Sequence, residues 1–379
     1  MRGLTHAYVD EATAETVGSA CERLRAEAPG PIAPLVLLAE GGCDVEAVVA
    51  GLRARSDAPF FGGVFPALVR GGSQVDHGAL VLAFEGLDAL HLVTDIGGET
   101  IVFSPALPES ARGTAIVLVD GLAHGIGRLL QELYDHLGDT VTYWGGGTGH
   151  GSLARRPSVF CDRGLFPEAA VVAFAPQRAS VGVRHGWTEV VGALVATRTR
   201  GSTIMELNWE PAFDVYRAAL VGRGAPPFGP DEFASFAPRF PFGLRKEGAE
   251  HVVRDPITVD ASGALVCVGD VPQNAALSIL EGDPDQLIAA AKQAALDACE
   301  APRRARTNLV ADCISRSLFL EARFAEELGA MLEAAESATD HVEQLGMLTL
   351  GEIASRGEGY LELFNKTAVV ASLAADEEP

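Results

Sequence analysis

The sequence predicts an α/β protein made of repeated strand–helix–strand–hairpin modules that pack as two domains. Three observations predict it. Short β-rich apolar runs alternate with amphipathic helical stretches, the alternation recurs in register along the chain, and the recurrences carry glycines at matching places. The chain has 379 residues, more than one typical domain, and is 48% hydrophobic with 21% charged residues, a balance able to bury cores.

The first module spans about 34–84 and opens with "PLVLLAEGGCDVEAVVAGLRARSDAPFFGG". Its helix is read from Val45, Val48, Val49 and Leu52, which share one helical face. The second module spans about 114–174 and opens with "TAIVLVDGLAHGIGRLLQELYDHLGDTVTYWGG", in which Ile126, Leu129, Leu130 and Leu133 repeat that spacing. The two Gly-Gly pairs lie 83 residues apart, and the closing "LAF" and "VAF" segments lie 90 apart. A third module follows near the C-terminus. "TNLVADCIS" from Thr307 is its first strand, "ARFAEELGAMLEAAES" its helix, and "LGMLTLGEI" its second strand, with Gly351 as counterpart of the Gly-Gly pairs. "LELFNKTAVVASL" closes it.

Between the second and third modules, residues 221–243 hold five prolines and repeated Phe-Pro or Pro-Phe pairs, which disfavour regular elements. The domain boundary is placed there, giving domains 1–221 and 222–379. The phenylalanines argue that this stretch packs against something.

Composition excludes several functions. The formal charge is −22 with only three lysines, so phosphate backbones and anionic lipid are repelled: no nucleic acid and no membrane partner is expected. No apolar run reaches the length of a membrane span, and the N-terminus lacks the apolar core of a signal peptide. The six cysteines are scattered without Cys-x-x-Cys spacing, which points to buried free thiols, a reduced cytoplasmic setting and no metal site. A homo-oligomer is compatible with the sequence.

Ligands of strand–helix–strand folds bind where strand C-termini end. Those positions include Asp120 to His124, the loop "YWGGGTGHGS", Asp312 to Arg316, and Gly351–Glu352. The glycine loop lacks the lysine of a P-loop and does not open a helix, so Gly146 and Gly147 are read as a cleft wall or a tight turn. Thr148 and His150 are its distinctive side chains, and His150 is either a ligand donor or an exposed turn histidine. Cys313 beside Arg316 suggests a thiol of depressed pKa, open to redox sensing or nucleophilic catalysis, against a small buried filler. Arg316 suits a carboxylate, with a salt bridge to Glu352 as the structural alternative. Asn208 is read as capping the helix that starts near Pro211.

A resemblance is then specific. "HGWTEVVGALVATRTRGSTIMELNWEPAFDVYRAAL" from His185 resembles the end of a FIST N-terminal domain. "VVRDPITVDASGALVCVGDVPQNAALSIL", "DCISRS" and "GEIASRGEGYLELFNKT" resemble a FIST C-terminal domain. Asn208 stands where that family usually has aspartate, and "GGVFPALVRGG" replaces a hydroxyl-rich segment. The resemblance implies a sensory module of signal transduction that binds a small molecule, such as an amino acid, and acts on a separate partner such as a histidine kinase. Arg316, Glu352 and Asn365 would then read the two ends of an amino-acid-like ligand. A subgroup resembles haem-binding nitric-oxide sensors, for which His150, His124 and Cys313 are the candidate iron ligands. An enzyme using Cys313 is the remaining alternative.

Overall fold

The computed structural model describes residues 4–87, 89–246, 250–299, 306–339, 341–355 and 361–374. Three six-stranded sheets share one arrangement. In the first module Leu35–Ala39 runs parallel to Phe61–Phe65 across the helix Val45–Arg55. In the second Gly113–Asp120 pairs Val141–Thr148 across Ile126–Leu137. In the third Arg306–Cys313 pairs Val342–Thr349, crossing over through Ile314–Leu320 and Phe324–Ala338. On its other edge each opening strand meets an antiparallel closing strand: Ala79–Phe84, Ala170–Ala175 or Ala368–Ala374. These strands are buried on both faces, which explains why they read as continuous apolar runs.

The hairpins are exchanged. Leu68–Arg70, which follows the first module's inner strand, adds to the third module's sheet. Val159–Cys161 of the second module adds to the first. Glu352–Ala354 of the third adds to the second. Each module therefore completes the next one's sheet, and the inner strands converge.

That convergence demands glycine. A Cβ on Gly62, Gly145 or Gly346 would lie 1.9 Å from the carbonyl oxygen of Val36, Val117 or Val310 respectively. A Cβ on the following Gly63 or Gly146 would lie 2.3 or 2.6 Å from Cγ2 of Thr148 or Thr349. The third-module counterpart of the first glycine in each pair is thus Gly346, which faces Val310, and not Gly351 as expected from the sequence.

A fourth sheet combines Thr188–Val195, Arg198–Arg200 and Thr203–Leu207 with strands between 242 and 281. Strands on either side of the 221/222 boundary also pair directly, as Ser180–Arg184 does with Ala368–Ala374. The proline-rich stretch is packed, with only the 3₁₀ turn Pro230–Ser235 as a helical element. Phe228 stacks on Phe236 at 4.1 Å between ring centroids, and Phe233 meets Phe213 and Tyr216 edge-on. Asn208 does not cap the helix Ala212–Val221. It sits with Trp209 at positive φ in a tight turn, where its side-chain oxygen accepts from the Val195 amide.

The backbone approach at the inner strands makes a direct expectation. Gly62→Ala and Gly346→Ala should each lower the unfolding free energy by about 1–3 kcal/mol or more, measured by urea titration. Gly30→Ala, where a Cβ meets nothing within 4 Å, should change it by less than about 0.5 kcal/mol.

Candidate functional site

Asp120 ends the second module's opening strand and shapes the loop after it. Its carboxylate accepts hydrogen bonds from the Leu122 amide at 3.1 Å and the Glu168 amide at 2.9 Å. The loop 121–125 then leads into the helix Ile126–Leu137. Across from it lies the antiparallel pair Val252–Val259 and Leu265–Val268, with Leu361 to Leu363 on a third side. Together they enclose a cavity of about 220 Å³. Leu122, Ile257 and Val268 also wall a smaller chamber of about 50 Å³, whose other lining includes Cys313, Ser315, Leu350 and Asn365.

The smaller chamber is lined mainly by apolar surface, with a few polar groups at and behind it. Cys313 and Asn365 are buried there, and Asn365 Oδ1 has no hydrogen-bond partner among the described residues while Nδ2 donates to the Phe364 carbonyl. Beneath them lies Glu352, which is fully buried. It accepts from Thr349 Oγ1 at 2.7 Å, from the Thr367 amide at 3.2 Å and from the Cys313 thiol. Burial pushes its carboxyl up to about 8. Asp255 stands on the rim, with Ser315 donating to it at 2.8 Å and Lys366 Nζ 3.3 Å away.

Several expected site residues have other partners. Arg316 is fully buried and does not reach either chamber. Its Nε and Nη2 donate to both oxygens of Glu327, and the remaining donors go to the carbonyls of His185, Lys366 and Leu287. Its carboxylate partners are therefore Glu327 and, at 3.3 Å, Asp312, not Glu352. Thr148 is also fully buried, donating to the Val119 carbonyl and sharing a hydrogen bond with Ser158. Gly147 lies against the third module, where its amide donates to the Gly351 carbonyl and its own carbonyl accepts from Leu350. Gly146 accommodates Thr349. His150 contacts Glu40 through Nδ1 at 3.0 Å. Of the expected residues, Cys313 and Asn365 line the smaller chamber, Glu352 underlies it, and Asp120 positions the loop of the larger one.

The Cys313 thiol is not depressed, as the neighbouring arginine had suggested. Burial and the Glu352 charge push it well above the ordinary cysteine value. The guanidinium is neutralised by its own carboxylates, so a thiolate gains little from it. The three candidate iron ligands do not share one space: His124 borders the larger chamber, Cys313 the smaller, and His150 is turned toward Glu40. The sequence reading missed Arg254, Asp255, Ile257 and Lys366. Their signal was a charged pair, Arg254–Asp255, inside an apolar strand run, and one of only three lysines beside Asn365.

The chain also matches the models of a known family. The FIST N domain matches residues 35–210 and the FIST C domain matches residues 212–355. The chain belongs to the FIST family, whose domains are associated with sensory signal transduction and small-ligand binding. No curated protein matches it.

Two expectations follow. Arg316→Ala should destabilise the protein by about 3–5 kcal/mol in denaturant unfolding, because it leaves Glu327 buried without its counter-charge. Glu352 should govern a pH slope. The unfolded chain loses this proton from about 4.5, whereas the folded protein holds it until about 8. The unfolded state therefore binds fewer protons across that window, and stability falls as pH rises through it. Glu352→Gln should flatten that fall when unfolding is compared at pH 5 and 8.

Proposed function

We propose that this protein is a sensor that binds a small molecule in the two-chambered cleft between the second module's 121–125 loop and the Val252–Val268 hairpin. The observation that carries the reading is the buried amide oxygen of Asn365, which has no partner among the described residues and borders the smaller chamber. A buried polar atom without a partner costs about 1–3 kcal/mol, and a ligand N–H or O–H in that chamber would recover it. The family's association with sensing supports the same reading. The cleft suits a molecule about the size of an amino acid.

Signalling follows from what forms the walls. The hairpin belongs to the fourth sheet, whereas the loop belongs to the second module. A ligand touching both would favour one relative placement of the two and so shift a conformational equilibrium. The output passes to a separate signalling protein such as a histidine kinase, in a cytoplasmic setting. No helix of the described residues is long and apolar enough to cross a membrane.

The test is a thermal-shift screen of small metabolites on the purified chain. A stabilising ligand should lose its effect in Leu122→Trp, which fills the passage between the chambers, and should weaken in Asn365→Ala. A ligand that stabilises both variants as well as the parent protein would place binding elsewhere.

A further inference from the structure

The helix Ile126–Leu137 begins differently from its counterpart in the first module. The pairings Ala39 with Phe65 and Asp120 with Thr148 make Asp44 and Gly125 equivalent, each five residues beyond the strand end. Asp44 caps its helix, its carboxylate accepting from the Ala47 amide at 2.9 Å. Gly125 has no side chain to do so, and the first helical turn contains no acidic residue. The amides of Ile126, Gly127 and Arg128 thus have no acceptor among the described residues. Ile126 and Gly127 line the larger chamber, at the positive end of a helix of 12 residues.

A second, independent feature faces the same space. Arg254 is 6% exposed and lines this chamber from the opposite wall. Its Nε donates to the Asp270 carbonyl, and Nη1 donates to the carbonyls of Val253 and Leu363. Among the described residues its Nη2 has no hydrogen-bond partner, and no carboxylate lies within ion-pair distance. The guanidinium is hydrogen-bonded by neutral carbonyls alone; burial lowers its pKa, while the more distant charges of Glu362 and Asp270 act the other way. Gly269 lets the backbone approach, since a Cβ there would meet Arg254 Nε at 3.2 Å. Exposed Arg155 adds positive charge at the rim.

We propose that the larger chamber is a phosphoryl-binding subsite, in which a phosphate group takes the place that the Asp44 carboxylate occupies in the first module. The chamber is lined by Ile126 and Gly127 at the helix start and by Arg254 on the opposite wall, and donors on two sides suit a tetrahedral oxyanion better than a planar carboxylate. Asp270 opposes this charge. It is exposed, and its Oδ2 lies 3.3 Å from where a Gly127 Cβ would stand. Glu362 also borders the chamber but is paired with Lys246. The inference rests on the cleft being the ligand site and adds the chemistry of one end of the ligand.

The test is a titration of the full chain with inorganic phosphate, a simple phosphomonoester and acetate, followed by calorimetry and ³¹P NMR. Phosphate should bind and raise the melting temperature, with acetate weaker by about tenfold. A phosphomonoester that binds tighter than phosphate identifies a larger ligand, and phosphate tighter than the ester identifies the free ion. Arg254→Gln should weaken phosphate by about tenfold or more. Gly127→Asp, which sets a second carboxylate beside Asp270 at the helix start, should lose phosphate, whereas Gly127→Ala, which adds only the Cβ, should retain it. Asp270→Asn should tighten it. Absence of phosphate binding, equal affinity for acetate, or undiminished binding in Gly127→Asp would overturn the proposal. If phosphate fails while a screened ligand is still blocked by Leu122→Trp, the phosphoryl subsite falls and the sensor reading stands.

Discussion

The arrangement depends on closing the open edge of each module's inner strand. A parallel strand pair built across a helix leaves one edge with unpaired amides and carbonyls. Here every such edge is closed by a strand pair from another module: Leu68–Arg70 with Ser73–Val75 on the third, Val159–Cys161 with Gly164–Phe166 on the first, and Glu352–Ala354 with Glu362–Phe364 on the second. The exchange is cyclic around three sheets, so no module is complete alone. It also brings the inner strands close enough that Gly62, Gly145 and Gly346 have no room for a side chain.

The cleft is a consequence of the same exchange. Glu352 reaches the floor because its strand leaves the third module to pair with Val141–Thr148, and Leu361 to Leu363 wall the larger chamber by the same route. Arg316 contributes from below. It gathers the carbonyls of His185, Leu287 and Lys366 around one charge balanced by Glu327 and Asp312, tying four separated segments together. The lysine it holds then stands beside Asp255 and over Trp187, so a core charge network positions the rim of the site.

Much of this was legible in the sequence because it rests on local patterning. Strand runs such as Leu35–Ala39 are apolar throughout, and Ile126, Leu129, Leu130 and Leu133 form one helical face. What was not legible depends on partners distant in the chain. "GMLTLGEI" offers two glycines, and only pairing with Val310 selects Gly346 over Gly351. Arg316 looks like a ligand-binding arginine until Glu327 and three carbonyls claim its donors. Asn208 has the residue type of a helix cap, yet the amide it accepts from lies before it in the chain, at Val195, where the strand Thr188–Val195 ends. The larger chamber was hidden because its walls, at 121–127 and 252–270, meet only through the fourth sheet.

The central claim is that the exchanged hairpins make the three modules one cooperative unit. Native-state hydrogen exchange of the full chain tests it most directly. The amides of Leu68–Arg70, Val159–Cys161 and Glu352–Ala354 should open with the same free energy as those of Val36, Val117 and Val310 in the opening strands. A hairpin that opens several kcal/mol more easily than those strands would contradict the claim.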